Sequence, residues 1–441
     1  MTTAQPSLNN KKENRGKLLN NAAFWLYAAA VSFTALGPVI HYALIPLSLI
    51  FLAAGAVTDK SLSLPRLTES TRKIIFLLVL FIAWAIFPNI INTKNAYEWG
   101  KGASTFAEAL IYLFMGIVLF NTEKRRAAFA SLFVAVNTLF ALEVMVRQLP
   151  QLQKYHFLII NASLNNGNVI GVYALLILPL LSCWALWVSR SQLLKLVVPL
   201  TAAALLTASF SSGAWFAGLI MLVIFLIYSV KCRTCSVKIL LLLPVLLLLS
   251  GLVFNSLSGG AVKERFLMET QQAEQYHDAQ KFTNKRLGTW QATMYMIKQH
   301  PIVGHGRESF KENFQLQLTA IKKAIRIEEL EVYQDPHSLF FYAAYAAGIP
   351  GLVLLVLFLA ALLFYAAVRS WRETPGLPPG TVPWALVAFM LIAGQAVQGL
   401  SGDIFDARRD IGVIFWALTG LFLGLPACVK KHEAGTFRKA Q

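Results

Sequence analysis

The polar stretch 258–337 holds two side chains suited to chemistry, one to proton transfer and one to phosphate binding. His337 is a candidate general base, because an imidazole with its ordinary pKa of about 6.5 accepts a proton readily at neutral pH. Asp335 supplies a carboxylate that can orient that ring. Arg286 can hold a phosphate or diphosphate through two parallel charge-assisted hydrogen bonds. One histidine and one distant arginine do not by themselves specify a reaction.

The segment 286–297 shows a helical period that positions the arginine. Trp290, Met294 and Ile297 recur at the spacing of one helix face. With the basic pair Lys285 and Arg286 at its start, this helix is expected to be amphipathic and to lie along a membrane interface.

A tight turn follows this helix. Pro301 ends the helix, and Gly304 and Gly306 permit unusual backbone angles. His300 and His305 border the turn, and we expect both to be structural or solvated.

The candidate base is expected at the beginning of a second helix. Asp335 and Pro336 form a turn and a helix N-cap for a short apolar helix over 337–347. Gly348 and Pro350 are expected to end it.

Composition places these residues in a polytopic membrane protein. The 441 residues are 56% hydrophobic and 14% charged, far fewer charges than the average of about 25% in soluble domains. Apolar runs long enough to span a bilayer predict about twelve helices: 21–37, 39–57, 74–93, 104–121, 127–146, 169–189, 194–210, 213–230, 239–257, 349–368, 382–401 and 411–428. The fold class is therefore all-α.

The net charge of +17 could suggest a nucleic acid partner, but its distribution argues against one. More than half of the 39 Lys and Arg residues fall in alternate loops and tails, which the positive-inside rule assigns to the cytoplasm. This predicts a cytoplasmic tail (1–20), nine spans (21–257), an extracytoplasmic loop (258–348), three spans (349–428) and a second cytoplasmic tail (429–441). No cleavable signal peptide is evident in the polar, basic first 20 residues.

Two further features have ordinary structural explanations. The Asn- and Gly-rich stretch before the sixth span is expected to be a cap or re-entrant turn, with Asn168 as a lesser candidate for touching a glycan. Cys232 and Cys235 form a lone C-x-x-C without a second pair, so neither a metal nor a redox role is expected.

The order of motifs in the loop resembles the O-antigen ligase and polymerase superfamily. The resemblance rests on R-x-x-x-W, then H-P-x-x-G-x-G-x-x-x-F, then H-S followed by G-x-P-G. Its residues here are Arg286, Trp290, His300, Pro301, Gly304, Gly306, Phe310, His337, Ser338, Gly348, Pro350 and Gly351. The layout of twelve spans with the large loop between spans nine and ten is similar to the ligase.

The resemblance implies a membrane glycosyltransferase of the GT-C type. Such an enzyme takes a glycan from undecaprenyl diphosphate at the periplasmic face of the bacterial inner membrane, and the ligase passes it to the lipid A–core oligosaccharide. The implied roles are acceptor activation for His337 and diphosphate binding for Arg286. No metal or other cofactor is expected, since a base and a cation suffice for inverting transfer.

One position departs from the family pattern. Many members have an arginine where this chain has Ser212, before Gly213. If that arginine contacts diphosphate, then Arg147, Arg265 or Lys285 is a candidate to replace it.

Several alternatives remain open at this stage. An O-antigen polymerase uses the same donor but a second lipid-linked glycan as acceptor. A protein O-oligosaccharyltransferase usually carries a further C-terminal region. A lipid-linked-oligosaccharide flippase would place polar groups near the midplane, whereas the predicted helix centres here are apolar. A purely structural scaffold would not need this set of Arg, Trp and His.

Overall fold

The computed structural model describes residues 8–58, 65–92, 96–155, 164, 166–232, 251–252, 255–256, 259–260, 263–264, 267, 286–307, 309–327, 330–402 and 409–426. Within these ranges the chain is helical and contains no β-strand. The helices that precede the polar segment are α1 Leu8–Ser32, α2 Pro38–Thr58, α3 Glu69–Asn92, α4 Ala96–Leu119, α5 Glu123–Tyr155, α6 Gly167–Trp187, α7 Gln192–Ala208 and α8 Ser212–Cys232.

The remaining helices carry or support the polar segment. They are α9 Arg286–Gln299, α10 Phe310–Leu316, α11 Leu318–Ile325, α12 Leu339–Glu373, α13 Trp384–Gln398 and α14 Arg409–Leu423. Two short 3₁₀ turns also occur, at Thr34–Leu36 and Thr374–Gly376.

The helices establish an all-α polytopic membrane protein. Six helices in the described ranges are long and apolar enough to cross a bilayer, and further apolar helices of 10–17 residues accompany them. Eleven of the twelve predicted spans overlap a helix, while most of 239–257 lies outside the described residues.

Two helices extend beyond their predicted limits. Helix α1 begins at Leu8, well inside the stretch 1–20 that was predicted to be a tail before the first span. Helix α5 continues to Tyr155, so Arg147 lies within it and not in an outer loop as expected. An ion pair with Glu143, one turn earlier, supports this extension of α5, because such pairs favour helix at i, i+4 spacing.

The core forms where α6 passes between its neighbours. Nearly every residue of α6 is buried, and helices α5, α7, α8 and α13 pack around it. Large aromatic side chains fill this interior, among them Phe129, Phe133 and Tyr173. Tyr173 donates its hydroxyl hydrogen bond to the side chain of Asn137, which satisfies both polar groups inside the bundle.

The polar segment has a small core of its own. Met296 on α9, Phe310 and Phe314 on α10, and Ile321 on α11 pack against Tyr345 of α12. The first turns of α12 thus belong both to this core and to the membrane bundle.

Helix α12 bends where the sequence predicts a break. Gly348 has φ 68° and ψ −178°, a conformation that side chains rarely adopt, and it separates Leu339–Ala347 from the long membrane-crossing part. The break at Gly348 is confirmed, although the helix begins at Leu339 and not at His337.

Candidate functional site

The turn after α9 is bonded directly to the bend in α12. The backbone N–H groups of His305 and Gly306 donate to the carbonyls of Tyr345 and Ala346, at 2.8 and 3.0 Å. The N–H of Ile349 donates to Pro301 at 2.7 Å in return. These bonds use backbone groups that the bend frees, so the turn and the bend stabilise each other.

Helix α3 completes this junction. Trp84 Nε1 donates to the carbonyl of Ala347 at 2.8 Å, and Asn92 Nδ2 donates to that of Gly304 at 3.0 Å. This end of the helix bundle therefore holds the polar segment in a fixed place.

His305 is structural, as expected. Its ring stacks on Tyr345 at 4.7 Å between centroids, and Nε2 lies 2.8 Å from the carbonyl oxygen of Met296. Burial lowers the pKa of His305, and the neighbouring His300 acts in the same direction. His300 itself is exposed and meets His305 edge-on.

His337 and Asp335 form a close pair at the start of α12. Asp335 Oδ1 accepts a hydrogen bond from the backbone N–H of His337 at 2.7 Å and lies 3.2 Å from ring atom Nδ1. The side chains are 37% and 26% exposed, so the pair is open to a substrate. Asp335 was expected to be part of the helix N-cap, but Ser338 occupies that position. Asp335 instead closes the turn that precedes the helix.

Tyr333 is a neighbour of this pair that the sequence did not single out. Its ring meets the His337 ring edge-on at 4.9 Å, and its hydroxyl donates to Glu331 Oε2 at 2.7 Å. Burial, followed by Glu331, raises the pKa of Tyr333 to about 12, while the charge of Arg286 acts in the opposite direction. Tyr333 lies in an irregular stretch, where no periodicity signals its direction.

Helix α9 turns one face towards this pair. Trp290 Nε1 donates to the carbonyl of Pro336 at 3.0 Å, and its ring stacks on Phe341 at 5.6 Å. Arg286 precedes Trp290 by one turn on the same face. Its positive charge acts to lower the pKa of Tyr333. The arginine, the tryptophan and the histidine of the predicted motif are thus brought together.

The predicted apolar face of α9 is wrong. Met294 is 49% exposed and Trp290 is half-buried, whereas only Ile297 of the three is buried. The buried face is formed by a different set: Gly288, Thr289, Ala292, Thr293, Met296 and Ile297. Small and threonine side chains produce this contact, so α9 packs on protein along a face that hydrophobicity alone does not mark.

The start of α12 also contacts the end of α13. The N–H of Leu339 lies 2.9 Å from the carbonyl of Gly399 and 3.0 Å from that of Gly402. Beside this contact, Gly213 at the start of α8 packs against Gln398 and Ser401. Helix starts α8 and α12 therefore meet at the end of α13.

Asn168 lies at the same end of the bundle as Ser212. Asn166 Oδ1 accepts from the N–H of Val169 at 3.1 Å and caps α6, which confirms a cap in this stretch. Asn168 is exposed in the first turn. Gly167 packs against Ser209, in the turn that leads to Ser212.

Of the three other cationic candidates, the structure describes only Arg147. Arg147 is 75% exposed and pairs with Glu143 at 2.8 Å. Arg265 and Lys285 lie outside the described residues. Among the described residues, no group of three or more His, Cys, Asp or Glu forms a metal site.

An apolar cleft between α3, α4 and α12 reaches the site from within the bundle. Leu339, two residues after His337, lines its outer end, and Phe358 lines its inner part. Arg307 lies at this outer end, only 5% exposed, with its guanidinium 5.1 Å from the centre of the Phe106 ring. Sequence reasoning missed Arg307, because nothing in the motif marks its direction.

The site lies in the stretch for which a family comparison is informative. Residues 196–356 match the family model for O-antigen ligase. The match covers 161 of the 441 residues, from α7 into α12, and includes Arg286, Trp290 and His337. It supports the O-antigen ligase and polymerase superfamily and indicates activity of that type, without separating ligase from polymerase. No curated protein matches the chain.

Proposed function

We propose that this protein is an O-antigen ligase. It transfers a glycan from undecaprenyl diphosphate to the lipid A–core oligosaccharide at the periplasmic face of the inner membrane. The observation that carries the proposal is the hydrogen bond from Trp290 to Pro336, which sets the Arg286 face of α9 beside the His337–Asp335 pair. The family match over 196–356 supports the same reaction class.

The proposed chemistry begins at His337. If Nδ1–H donates to Asp335, the lone pair of Nε2 is left to accept a proton. The acceptor hydroxyl loses its proton to Nε2 as its oxygen attacks the anomeric carbon of the donor sugar. The bond from that carbon to the diphosphate oxygen breaks, and its electron pair leaves with the diphosphate. One displacement inverts the anomeric configuration.

The proposed role of Arg286 is to stabilise the leaving group. Negative charge grows on the diphosphate as the bond breaks, and a guanidinium placed in advance lowers the energy of that transition state. Arg286 and Trp290 lie on one helix face, so the stacked indole fixes the arm that carries the cation. Base and cation together give a reaction for which no metal is required.

The test is lipopolysaccharide banding in a strain that lacks this gene, complemented with wild type, His337→Ala or Arg286→Ala. Loss of the general base is expected to slow transfer by about 10²–10⁴-fold. Both variants should therefore give bare lipid A–core, with long polymer retained on undecaprenyl diphosphate. His300→Ala is the matched control, because His300 is an exposed histidine of the same segment, and it should give ordinary banding.

Two results would contradict the proposal. Core carrying a single repeat unit would identify a polymerase, the alternative that shares this donor. Ordinary banding with His337→Ala, at normal protein levels in the membrane, would remove the proposed base.

A further inference from the structure

The turn between α9 and α10 exposes an apolar side chain. Ile302 is 65% exposed, although the backbone around it is held firmly against the bend of α12. The carbonyl of Pro301 accepts a hydrogen bond from Ile349, and the carbonyl of Ile302 lies against Gly348, where a Cβ would not fit. A single exposed isoleucine is common on protein surfaces, so the surroundings of Ile302 decide what its exposure means.

Exposed apolar surface continues from this turn along α12. Ile349, Val353 and Leu357 recur every four residues, so they share one helix face, and they are 45%, 49% and 49% exposed. Helix α12 is one of the six helices long and apolar enough to cross a bilayer, so this face meets lipid hydrocarbon. Because Ile349 bonds to Pro301, Ile302 lies at the end of this lipid-facing strip.

Helix α3 brings a second apolar surface to the same turn. Ile90 and Ile91, both 57% exposed, lie near the end of this membrane-crossing helix. The next residue, Asn92, donates to the carbonyl of Gly304 at 3.0 Å. Ile302 is therefore flanked by exposed apolar side chains of two helices.

The lengths of these two helices place the turn at the boundary of the hydrocarbon core. On α12, twenty residues separate Ile349 from Arg369, the first cationic residue towards the far end, which is a distance of about 30 Å. On α3, nineteen residues separate Asn92 from the cationic Lys73, which is about 29 Å. The hydrocarbon core of a bilayer is about 30 Å thick. Both residues that bond the turn therefore lie where the hydrocarbon ends.

We propose that the turn 301–303 inserts into the membrane surface and anchors the polar segment to lipid. The partner is the acyl-chain region of the leaflet on the His337 side, and Ile302 is the side chain that enters it. Lys298 is exposed in the last turn of α9. Its long stem can lie along the interface while its ammonium group stays among the lipid headgroups.

This contact is independent of the proposed function, but it has a consequence for the site. The N–H groups of His305 and Gly306 bond the turn to the first part of α12, which begins directly after His337 and Ser338. A turn fixed in the membrane surface therefore also fixes the height of the His337 ring above the hydrocarbon.

The first test is quenching of a bimane label by lipid that carries a doxyl group near its headgroup. Ile302→Cys, Val353→Cys and Glu312→Cys are made separately in the full-length chain with its native cysteines replaced by serine, and are placed in phosphatidylcholine nanodiscs. Ile302→Cys should be quenched at least half as strongly as Val353→Cys in the lipid-facing strip. Glu312→Cys is the matched control, because an exposed carboxylate on α10 marks a position in water. Quenching of Ile302→Cys no stronger than that of Glu312→Cys would overturn the proposal.

A second measurement uses the bare thiol, so that the affinity of the label for lipid plays no part. Because Ile302 is 65% exposed within the protein, only a covering partner can slow the reaction of a cysteine there with a charged, water-soluble methanethiosulfonate. The thiolate is the reacting species and forms in water, so Ile302→Cys should react at least tenfold more slowly than Glu312→Cys in nanodiscs.

Two outcomes of the thiol measurement would contradict the lipid contact. Equal rates for Ile302→Cys and Glu312→Cys would place the turn in water. Slow reaction of Ile302→Cys without quenching by doxyl lipid would mean that protein covers the turn, for example a second copy of this chain, and would equally overturn the proposal.

Discussion

At the scale of single residues, the backbone of His337 is as informative as its ring. Its φ of 52° is left-handed, a conformation that costs a residue with a Cβ about 1–2 kcal/mol. One oxygen of Asp335 holds this conformation by accepting the backbone N–H, and the same oxygen faces Nδ1. Asp335 therefore fixes the direction of the ring, and in the proposed mechanism it leaves Nε2 to face the substrate.

Asp335→Ala should lower kcat by about tenfold or more, because the imidazole loses its orienting partner, while the KM for the lipid donor changes little. Glycan transfer by purified protein in nanodiscs measures both. Asp335→Asn keeps an oxygen for the backbone N–H and should recover part of kcat. Gln334→Ala, at the adjacent exposed residue, is the control. A rise in donor KM with unchanged kcat would assign Asp335 to binding instead.

Variants of Tyr333 distinguish a packing role of its ring from a role of its hydroxyl in acid–base chemistry. With its pKa raised to about 12, its hydroxyl stays protonated throughout the pH range of an activity assay. Tyr333→Phe should retain most activity, whereas Tyr333→Ala should lose several-fold, because the edge-on contact of about 0.5–1.5 kcal/mol to His337 disappears. The pH–rate profile of Tyr333→Phe should match that of wild type. Loss of a basic limb from that profile would show that the hydroxyl transfers protons.

At the scale of elements, local pattern located the helices but not their contacts. The helix predicted over 286–297 is present as α9, but its buried face differs from the predicted one. The buried face is determined by contacts with α11 and α12, which follow later in the sequence. Threonine and glycine positions such as Thr289 and Gly288 become buried only because a partner helix is present. The bend at Gly348 could be predicted, since Gly-x-Pro carries its own conformational signal.

Gly348→Ala should destabilise the protein. The backbone at Gly348 is rarely adopted by side chains, which costs about 1–3 kcal/mol. A Cβ there would also collide with the carbonyl of Ile302. Melting temperature in nanodiscs and yield in the membrane should both fall. Gly376→Ala, where a Cβ meets open space, should leave both unchanged; equal melting temperatures would contradict this account.

The turn at His305 should weaken on acidification. Burial lowers the pKa of His305 in the fold below its free value of 6.5, so the folded state favours the neutral ring. Its contribution to stability is complete above pH 6.5 and is lost as the pH falls through the lowered pKa. His305→Gln keeps a donor for Met296 without titrating. Its melting temperature should fall less than that of wild type between pH 7.5 and 5.5, and parallel curves would exclude His305 as the source.

At the scale of the whole molecule, the sequence predicts where the apolar helices lie along the chain better than where they meet. Length and hydrophobicity mark each span independently, and the clusters of Lys and Arg set a direction. Which helix ends converge depends on packing: the meeting of Gly213, Gln398 and Leu339 has no local signature. This explains why the sequence motif marks Arg286 and His337 as candidates, whereas Tyr333, Arg307 and Gln398 carry no local signal.

The end of the bundle away from the site carries cationic side chains that form hydrogen bonds or ion pairs with neighbouring groups. Arg125 donates to Asn21 at 2.8 Å, and Arg369 pairs with Glu373 at 2.6 Å. Lys231 donates to the Trp371 carbonyl at 3.1 Å. The positive-inside rule predicts that this end faces the cytoplasm, and the proposed function requires the His337 end to face the periplasm.

Cysteine labelling tests that orientation in a variant whose four native cysteines are replaced by serine. Gln299 is exposed at the end of α9, and Arg372 is exposed near the end of α12. Each is replaced by cysteine in a separate variant. In cells with a permeabilised outer membrane, an impermeant maleimide should label Gln299→Cys and leave Arg372→Cys unlabelled until the inner membrane is lysed. The reverse pattern would put His337 in the cytoplasm. It would separate the site from any acceptor in the periplasm, whatever its chemistry.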